Sequence, residues 1–278
     1  MPLKLMYITN RTEIAEIADN SGVDRIFIDL EYIGKENRQS GLDTVKSHHS
    51  VSDIPKIKNV LKNAELMVRV NPIHNKTADY CDSEYEIRSV IEAGADIVML
   101  PMYRTLNEVE RFLKITNGSV KTQLLAETPE ACDIMSCVSA VGEVDEIHIG
   151  LNDLHLAYRK KFMFELLADG TVDRICDVIK KSNKPFGFGG IARIGYGILP
   201  AEYIIKEHYR IGSSRAILSR SFCNADKTSD LYEIKSLFEK EIIKIRQTEK
   251  TASALKAADF EKNRQEVIRI TNEIVNAM

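Results

Sequence analysis

The chain carries no block of charge of one sign. Its 38 basic residues stand against 41 acidic ones, a net charge of −3, and the lysines and arginines are scattered. No field of one sign draws in nucleic acid or anionic lipid, so neither is expected as a partner. No apolar run approaches the ~18 residues of a membrane span. The opening stretch MPLKLMYITN has no long apolar core and no small-residue cleavage site, and reads as a first strand rather than a secretory leader. Cysteine is sparse: Cys81, Cys132, Cys137, Cys176 and Cys223 form no CxxC pair and are odd in number. Most fall in helical patterns, where cysteine acts as a small apolar residue. A reducing, cytoplasmic compartment is expected. No Pro/Gly/Ser-rich linker and no low-complexity segment divides the chain.

What is present is an alternation. Of the 278 residues, 44% are hydrophobic and 28% charged, ordinary for a globular protein. Short apolar runs cover Leu3–Ile8, Arg25–Leu30, Leu66–Val70, Asp96–Leu100, Thr122–Ala126, Glu146–Leu151, Pro185–Ile191 and Arg215–Leu218. Each is about strand length, and nearly every one is followed by a helical pattern. Ile54, Ile57, Val60 and Leu61 share a face, as do Ile87, Val90 and Ile91, then Val109, Phe112 and Leu113, then Ile175, Val178 and Ile179. Gly94 and Gly118 stand where helices stop. Strand followed by helix, eight times over, predicts a parallel α/β sheet closed as a (β/α)8 TIM barrel, with an open doubly wound sheet as the alternative. The barrel core is expected over 1–225 and a helical extension over 226–278. In that extension Val267, Ile270 and Ile274 form a stripe that packs either on a neighbouring subunit or on its own barrel. The polar stretch Tyr32–Ser50 reads as an extended loop after the second strand.

Active sites of such barrels lie at the C-terminal ends of the strands, and several of those ends here are polar. Strand two ends in Asp29 and Glu31, on one side by the period of two. Strand three ends in Arg69 and Asn71, strand five in Glu127, and strand six in Asn152 and Asp153. Acidic groups pointing into one mouth repel each other unless a cation and an arginine stand among them. Glu127 and Asp153, on adjacent strands, suit Mg²⁺ or Mn²⁺, with positions left for water and substrate oxygens. The competing reading is that each merely caps the helix that follows.

The pieces FIDLEY at 27–32, VRVNP at 68–72, EAGADIVMLPM at 92–102, LLAETPEA at 124–131 and IGLNDL at 149–154 together resemble the HpcH/HpaI aldolase and citrate lyase family, the metal-dependent class II keto-acid aldolases. They occur in family order and spacing. The resemblance implies that Glu127 and Asp153 ligate the metal. It implies that Arg69 holds the keto oxygen and carboxylate of a pyruvate-like substrate. The amides at Gly150, Leu151 and Asn152 and around Pro101 would help bind that carboxylate, and Asp29 and Glu31 would order the site. It also implies a homo-oligomer, since the family often forms hexamers from dimers that exchange a terminal helix. The chemistry agrees: cleavage beside a ketone leaves an enolate, which a metal on the keto oxygen and a fixed guanidinium both stabilise.

Three positions depart from the family. Tyr32 stands where the aldolases have a proton-transferring histidine, Met102 where a lysine is frequent, and Leu125 where a glutamine precedes the metal-binding glutamate. Candidates for the base are His48, His49, His155 and Tyr32, or a metal-bound water. His155 shares parity with Asp153 and on that count faces the mouth. The stretch GFGGIARIGYG at 187–197 lacks the G-x-G-x-x-G order of a dinucleotide site. Its glycines let strand seven pack closely or leave room for an anion, which Arg193 could reach; His74 and Arg104 are weaker candidates. The expected activity is aldol cleavage or formation of a 4-hydroxy-2-keto acid, with a keto acid and an aldehyde as small-molecule partners. The alternatives are a citrate-lyase-like acyl-coenzyme A lyase and a catalytically silent metabolite-binding barrel.

Overall fold

A computed structural model describes residues 1–34, 49–224 and 230–278. Most of the expected loop after strand two, including His48, lies outside the described residues. The strands β1 (Lys4–Ile8), β2 (Arg25–Asp29), β3 (Glu65–Arg69), β4 (Ile97–Leu100), β5 (Lys121–Ala126), β6 (Glu146–Ile149), β7 (Phe186–Ile191) and β8 (Arg215–Leu218) close in sequence order into a parallel barrel. This is the TIM barrel, and the open-sheet alternative is excluded by the pairing of β1 with β8.

The strands read as continuous apolar runs because both of their faces are covered. Leu5, Tyr7, Ile26, Ile28, Leu66 and Val68 point outward into the main core, while Met6, Phe27, Met67, Ile97, Met99 and Leu125 form a separate cluster inside the barrel. Helices α1 (Thr12–Asn20), α2 (Asp53–Val60), α3 (Ser83–Glu92) and α4 (Leu106–Thr116) press their apolar faces on the outer set. Ile54, Ile57, Ile87, Val90, Val109 and Phe112 are fully buried, each contributing about 1.5–3 kcal/mol. Asp82 caps α3, and Thr105 with Glu108 forms a capping box on α4, satisfying amides that have no partner within the helix.

Beyond β5 come α5 (Pro129–Asp133) and α6 (Met135–Ala140), and beyond β6 come α7 (Leu151–Ala157), α8 (Glu165–Ala168) and α9 (Thr171–Lys180). One expectation is corrected here. The sixth strand ends at Ile149, not Leu151, and Asn152 and Asp153 lie in the first turn of α7. The run looked longer because Leu151 is apolar, but its side chain packs over Gly189, where an added Cβ would lie 2.7 Å from Leu151 Cδ1.

After β7 comes α10 (Ala201–Ile211), and after β8 come α11 (Leu231–Ser253) and α12 (Ala257–Ala277). Helix α11 packs between α10 and α1, the place of the barrel's eighth helix, so a division at 225 falls before that helix. It is fastened beneath β1: Glu249 accepts from the Leu3 amide, and Arg246 reaches Asp24 at 3.0 Å. Helix α12 is the extra one, lying on this chain's own α10 and α8 through Val267, Ile270 and Ile274.

The floor of the barrel is ionic. Arg25, fully buried, donates to Glu65 at 2.9 Å and to Glu146 at 2.8 Å, and Arg215 pairs with the same Glu146. Gly187 makes room for this layer: a Cβ there would strike Arg215 and lie 2.9 Å from His148 Nδ1.

Candidate active site

At the C-terminal mouth, β2 and β3 run side by side with Asp29 opposite Arg69. Asp29 takes two hydrogen bonds from the Arg69 guanidinium, from Nε at 2.9 Å and Nη2 at 2.8 Å, and Glu31 faces Nη1 at 3.3 Å. The expected same-sidedness of Asp29 and Glu31 therefore holds, and both converge on one arginine. Phe27 lies under the guanidinium at 5.5 Å. Burial works against the Arg69 charge, but Asp29, Glu31 and, further off, Glu127 raise its pKa well above the ordinary value. The planar fork is thereby fixed in direction, with further N–H groups on its terminal nitrogens.

Glu127 directly follows β5 and is buried. Its Oε1 accepts from the Met102 amide at 3.2 Å. Met102 has φ +53°, a left-handed conformation uncommon for a residue with a Cβ and frequent where strain serves a site. On its other side Glu127 lies against Gly150, where an added Cβ would come within 2.7 Å of Oε2 and 2.9 Å of the Glu127 Cβ. Gly150 has φ −82°, so glycine is needed there for space, not for backbone freedom. It is the residue before α7, whose first turn carries the buried Asp153. Neither acid holds an N-cap position, although Asp153 lies in the first turn of α7. Thr128, not Glu127, caps α5 by accepting from Ala131, and Gly150 holds the N-cap of α7.

The surroundings of the other candidates are as follows. Pro101 and Leu151 are buried and Asn152 is exposed. Tyr32 donates its hydroxyl to the His49 carbonyl. Burial, then the charges of Asp29 and Asp53, raise its pKa, so the phenol keeps its proton at neutral pH. His49 sits against the end of β2, its Nδ1 accepting from the Asp29 amide at 3.0 Å. His155 bonds through Nδ1 to the Leu151 carbonyl at 3.1 Å. The parity argument for His155 does not survive, because 153 and 155 lie on a helix, where two positions are about 200° apart. His155 shares its face with Leu151 and Leu154. Arg193 stacks on Tyr196 at 4.1 Å and bonds the Ser221 carbonyl, Arg104 pairs with Glu130 at 2.7 Å, and His74 is tied to the Pro72 and Cys81 carbonyls. Asn71 is turned to the loop: its Oδ1 accepts from the Tyr32 and Ile33 amides, both at 2.8 Å, while its own amides donate to Glu86. The supporting roles of Met102, Asn71 and Glu86 were not expected; only their backbone amides and side-chain contacts reveal them.

Among the described residues no three His, Cys, Asp or Glu side chains gather as a metal-holding group. Glu127, directly after β5, and Asp153, in the first turn of α7, are a smaller donor set, one that suits a hard cation completing its shell from water and substrate oxygens. The buried Glu127 and the glycine cleared beside it fit such a group.

A closed (β/α)8 barrel with acids and a clamped arginine at its mouth belongs to the TIM-barrel class. Residues 4–165 match the HpcH/HpaI aldolase/citrate lyase family, and the chain belongs to that family of lyases. Among solved structures, an HpcH/HpaI aldolase/citrate lyase family protein from Burkholderia cenocepacia J2315 superposes with a TM-score of 0.62 at 14% identity, over 84% of this chain and 95% of its own. An HpcH/HpaI aldolase from Desulfitobacterium hafniense DCB-2 gives 0.59 at 12%, over 92% and 95%. A tryptophan synthase from M. tuberculosis gives 0.60 at 11%, over 88% and 94%, so likeness of shape at these identities establishes the barrel alone. The comparison with curated proteins returned no match. Among the described residues no helix is long and apolar enough to cross a membrane, and the five cysteines are free thiols.

Proposed function

We propose that the chain is a divalent-metal-dependent carbon–carbon lyase that cleaves or forms a 4-hydroxy-2-keto acid through a pyruvate-type enolate. The observation that carries this reading is Arg69, clamped by Asp29 and Glu31 and within electrostatic reach of the buried Glu127. An arginine held this way is a fixed donor pair for the oxygens of an α-keto acid. It is already oriented when negative charge develops on the keto oxygen, so no reorganisation is needed at the moment of bond cleavage.

Glu127 and Asp153 would hold Mg²⁺ or Mn²⁺. When bound, the cation supplies Lewis-acid polarisation of the keto oxygen. Of the amides expected to bind the substrate carboxylate, that of Gly150 instead donates to the Ala126 carbonyl at 2.9 Å and that of Met102, after Pro101, to Glu127, which leaves those of Leu151 and Asn152 at the start of α7 for the carboxylate. Asp29 and Glu31 keep the guanidinium in register. Cleavage removes the C4 hydroxyl proton and later returns one to C3. Tyr32, protonated at neutral pH, would serve as a donor only by releasing the His49 carbonyl that its hydroxyl now holds. Of the two described candidate histidines only His155 keeps a lone pair at Nε2, because its Nδ1 must donate to a carbonyl oxygen. The family relationship and the free thiols support a small-molecule enzyme of the cytoplasm, and the family's habit supports a homo-oligomer.

The test is turnover of 4-hydroxy-2-keto acids, followed as pyruvate released, before and after metal removal. Activity is expected to vanish with chelator and return with Mg²⁺ or Mn²⁺; full activity in excess chelator would falsify the reading. A second reading, a lyase of hydroxyacyl-coenzyme A thioesters, is favoured by one observation: the tyrosine at 32 has its hydroxyl engaged by the His49 carbonyl. Turnover of such a thioester without turnover of free keto acids would select it.

A further inference from the structure

On the β1 side of the mouth, β2 runs past its neighbour. Phe27 pairs with Ile8, the last residue of β1, and its carbonyl accepts from the Thr9 amide at 3.2 Å. Asp29, two residues on, directs its N–H to the same edge, where β1 has ended. The acceptor found there is His49 Nδ1, 3.0 Å away. A backbone amide can only donate, so this Nδ1 carries no proton. His49 is more than nine-tenths buried, and its carbonyl accepts from the Tyr32 hydroxyl, so both its ring and its backbone are held.

We propose that His49 is a positioning residue, fixing Asp29 and through it the Arg69 guanidinium, and that it is not the proton acceptor of the reaction. A neutral imidazole has one nitrogen with a lone pair and one with a hydrogen, and the lone pair here is committed to the Asp29 amide. A proton taken up at Nδ1 would set N–H against N–H and release the end of β2. The effect then runs along named bonds, since the Asp29 carboxylate receives both Nε and Nη2 of Arg69. The same reasoning gives His155 the opposite tautomer, so the two histidines are not interchangeable as bases. The catalytic consequence rests on the function proposed above; the tautomer and the clasp do not.

Two measurements test it. In the wild-type protein at neutral pH, long-range ¹H–¹⁵N spectra of the imidazoles, with His49 assigned by the signal lost in His49→Asn, are expected to show a bare Nδ1 and a protonated Nε2. In calorimetry with pyruvate and Mg²⁺, His49→Asn, which returns a carbonyl oxygen near the Nδ1 position, is expected to bind within about threefold of wild type. His49→Gln and His49→Ala, which do not, are expected to bind pyruvate at least about tenfold more weakly, a loss of about 1.4 kcal/mol. A protonated Nδ1 in wild type, or folded Gln and Ala variants that bind as tightly as wild type, overturns the proposal. If wild type binds no pyruvate, the proposed function fails, and the spectrum alone decides the role of His49; it decides also if the Ala variant does not fold.

Discussion

Gly150 is the residue on which the site's geometry turns most simply. Its backbone is unstrained, and any side chain would occupy the space taken by Glu127. Gly150→Ala, whose Cβ would lie 2.9 Å from the Glu127 Cβ, is therefore expected to lower the melting temperature through an overpacking cost of about 1–3 kcal/mol and to lower kcat/KM by about 10²-fold, the scale of a ~1 Å misplacement. Steady-state kinetics beside a thermal melt checks this, and an active Gly150→Ala enzyme would show that Glu127 has room to spare. At this scale the sequence reveals side chains and hides amides. Asp29, Glu31, Arg69 and Glu127 were readable because acids and an arginine are unusual at the ends of apolar runs. The Met102 amide that holds Glu127 was not, because a backbone donor leaves no trace in residue identity, and the methionine registered only as a departure from the family's lysine. The parity argument for His155 failed because it applied strand alternation to a residue that lies on a helix.

Among the elements, the strands were legible because burial on both faces makes each one a continuous apolar run, and such runs need no periodicity to be seen. The end of β6 was not, since Leu151 prolongs the run and Gly150 gives no side-chain capping signal for the helix that follows. The ionic floor was also missed: Arg25, Glu65, Glu146 and Arg215 open their strands and look like ordinary surface charges. Buried pairs of this kind carry a definite expectation. Glu146→Ala leaves Arg25 and Arg215 facing each other without their shared acid, which should lower unfolding free energy by about 3–5 kcal/mol in denaturant titration. Glu65 provides the pH counterpart. Burial disfavours its charge, but the Lys121 hydrogen bond and the Arg25 charge outweigh this and lower its pKa from 4.5 to about 2. Because the folded state favours the ionised form, its contribution is complete above about pH 4.5 and is lost as the pH falls toward 2. Stability measured across that window should decline, and Glu65→Gln should flatten the decline.

For the whole molecule, the chain closes on itself twice. Helix α11 completes the ring of helices and fastens the start of β1, and α12 covers α10 and α8. Removing residues 257–278 would uncover the surface that buries Val267 and leave Glu207 without its 2.8 Å hydrogen bond from Asn263. The shortened chain should melt at a lower temperature and associate on size exclusion; an unchanged melt would mean that α12 contributes nothing to the barrel. The barrel could be inferred from alternation alone, whereas the packing of α12 could not, since an apolar stripe does not say which surface covers it. The activity is the inference that reaches furthest, and it stands on Glu127 and Asp153 acting together. Manganese titration into metal-stripped protein, followed by the paramagnetic signal of the free ion, tests that pairing without any assumption about substrate. One tight Mn²⁺ per chain is expected, weakened at least about tenfold by either Glu127→Gln or Asp153→Asn. Wild-type affinity in both variants, or no binding at all, would contradict the account.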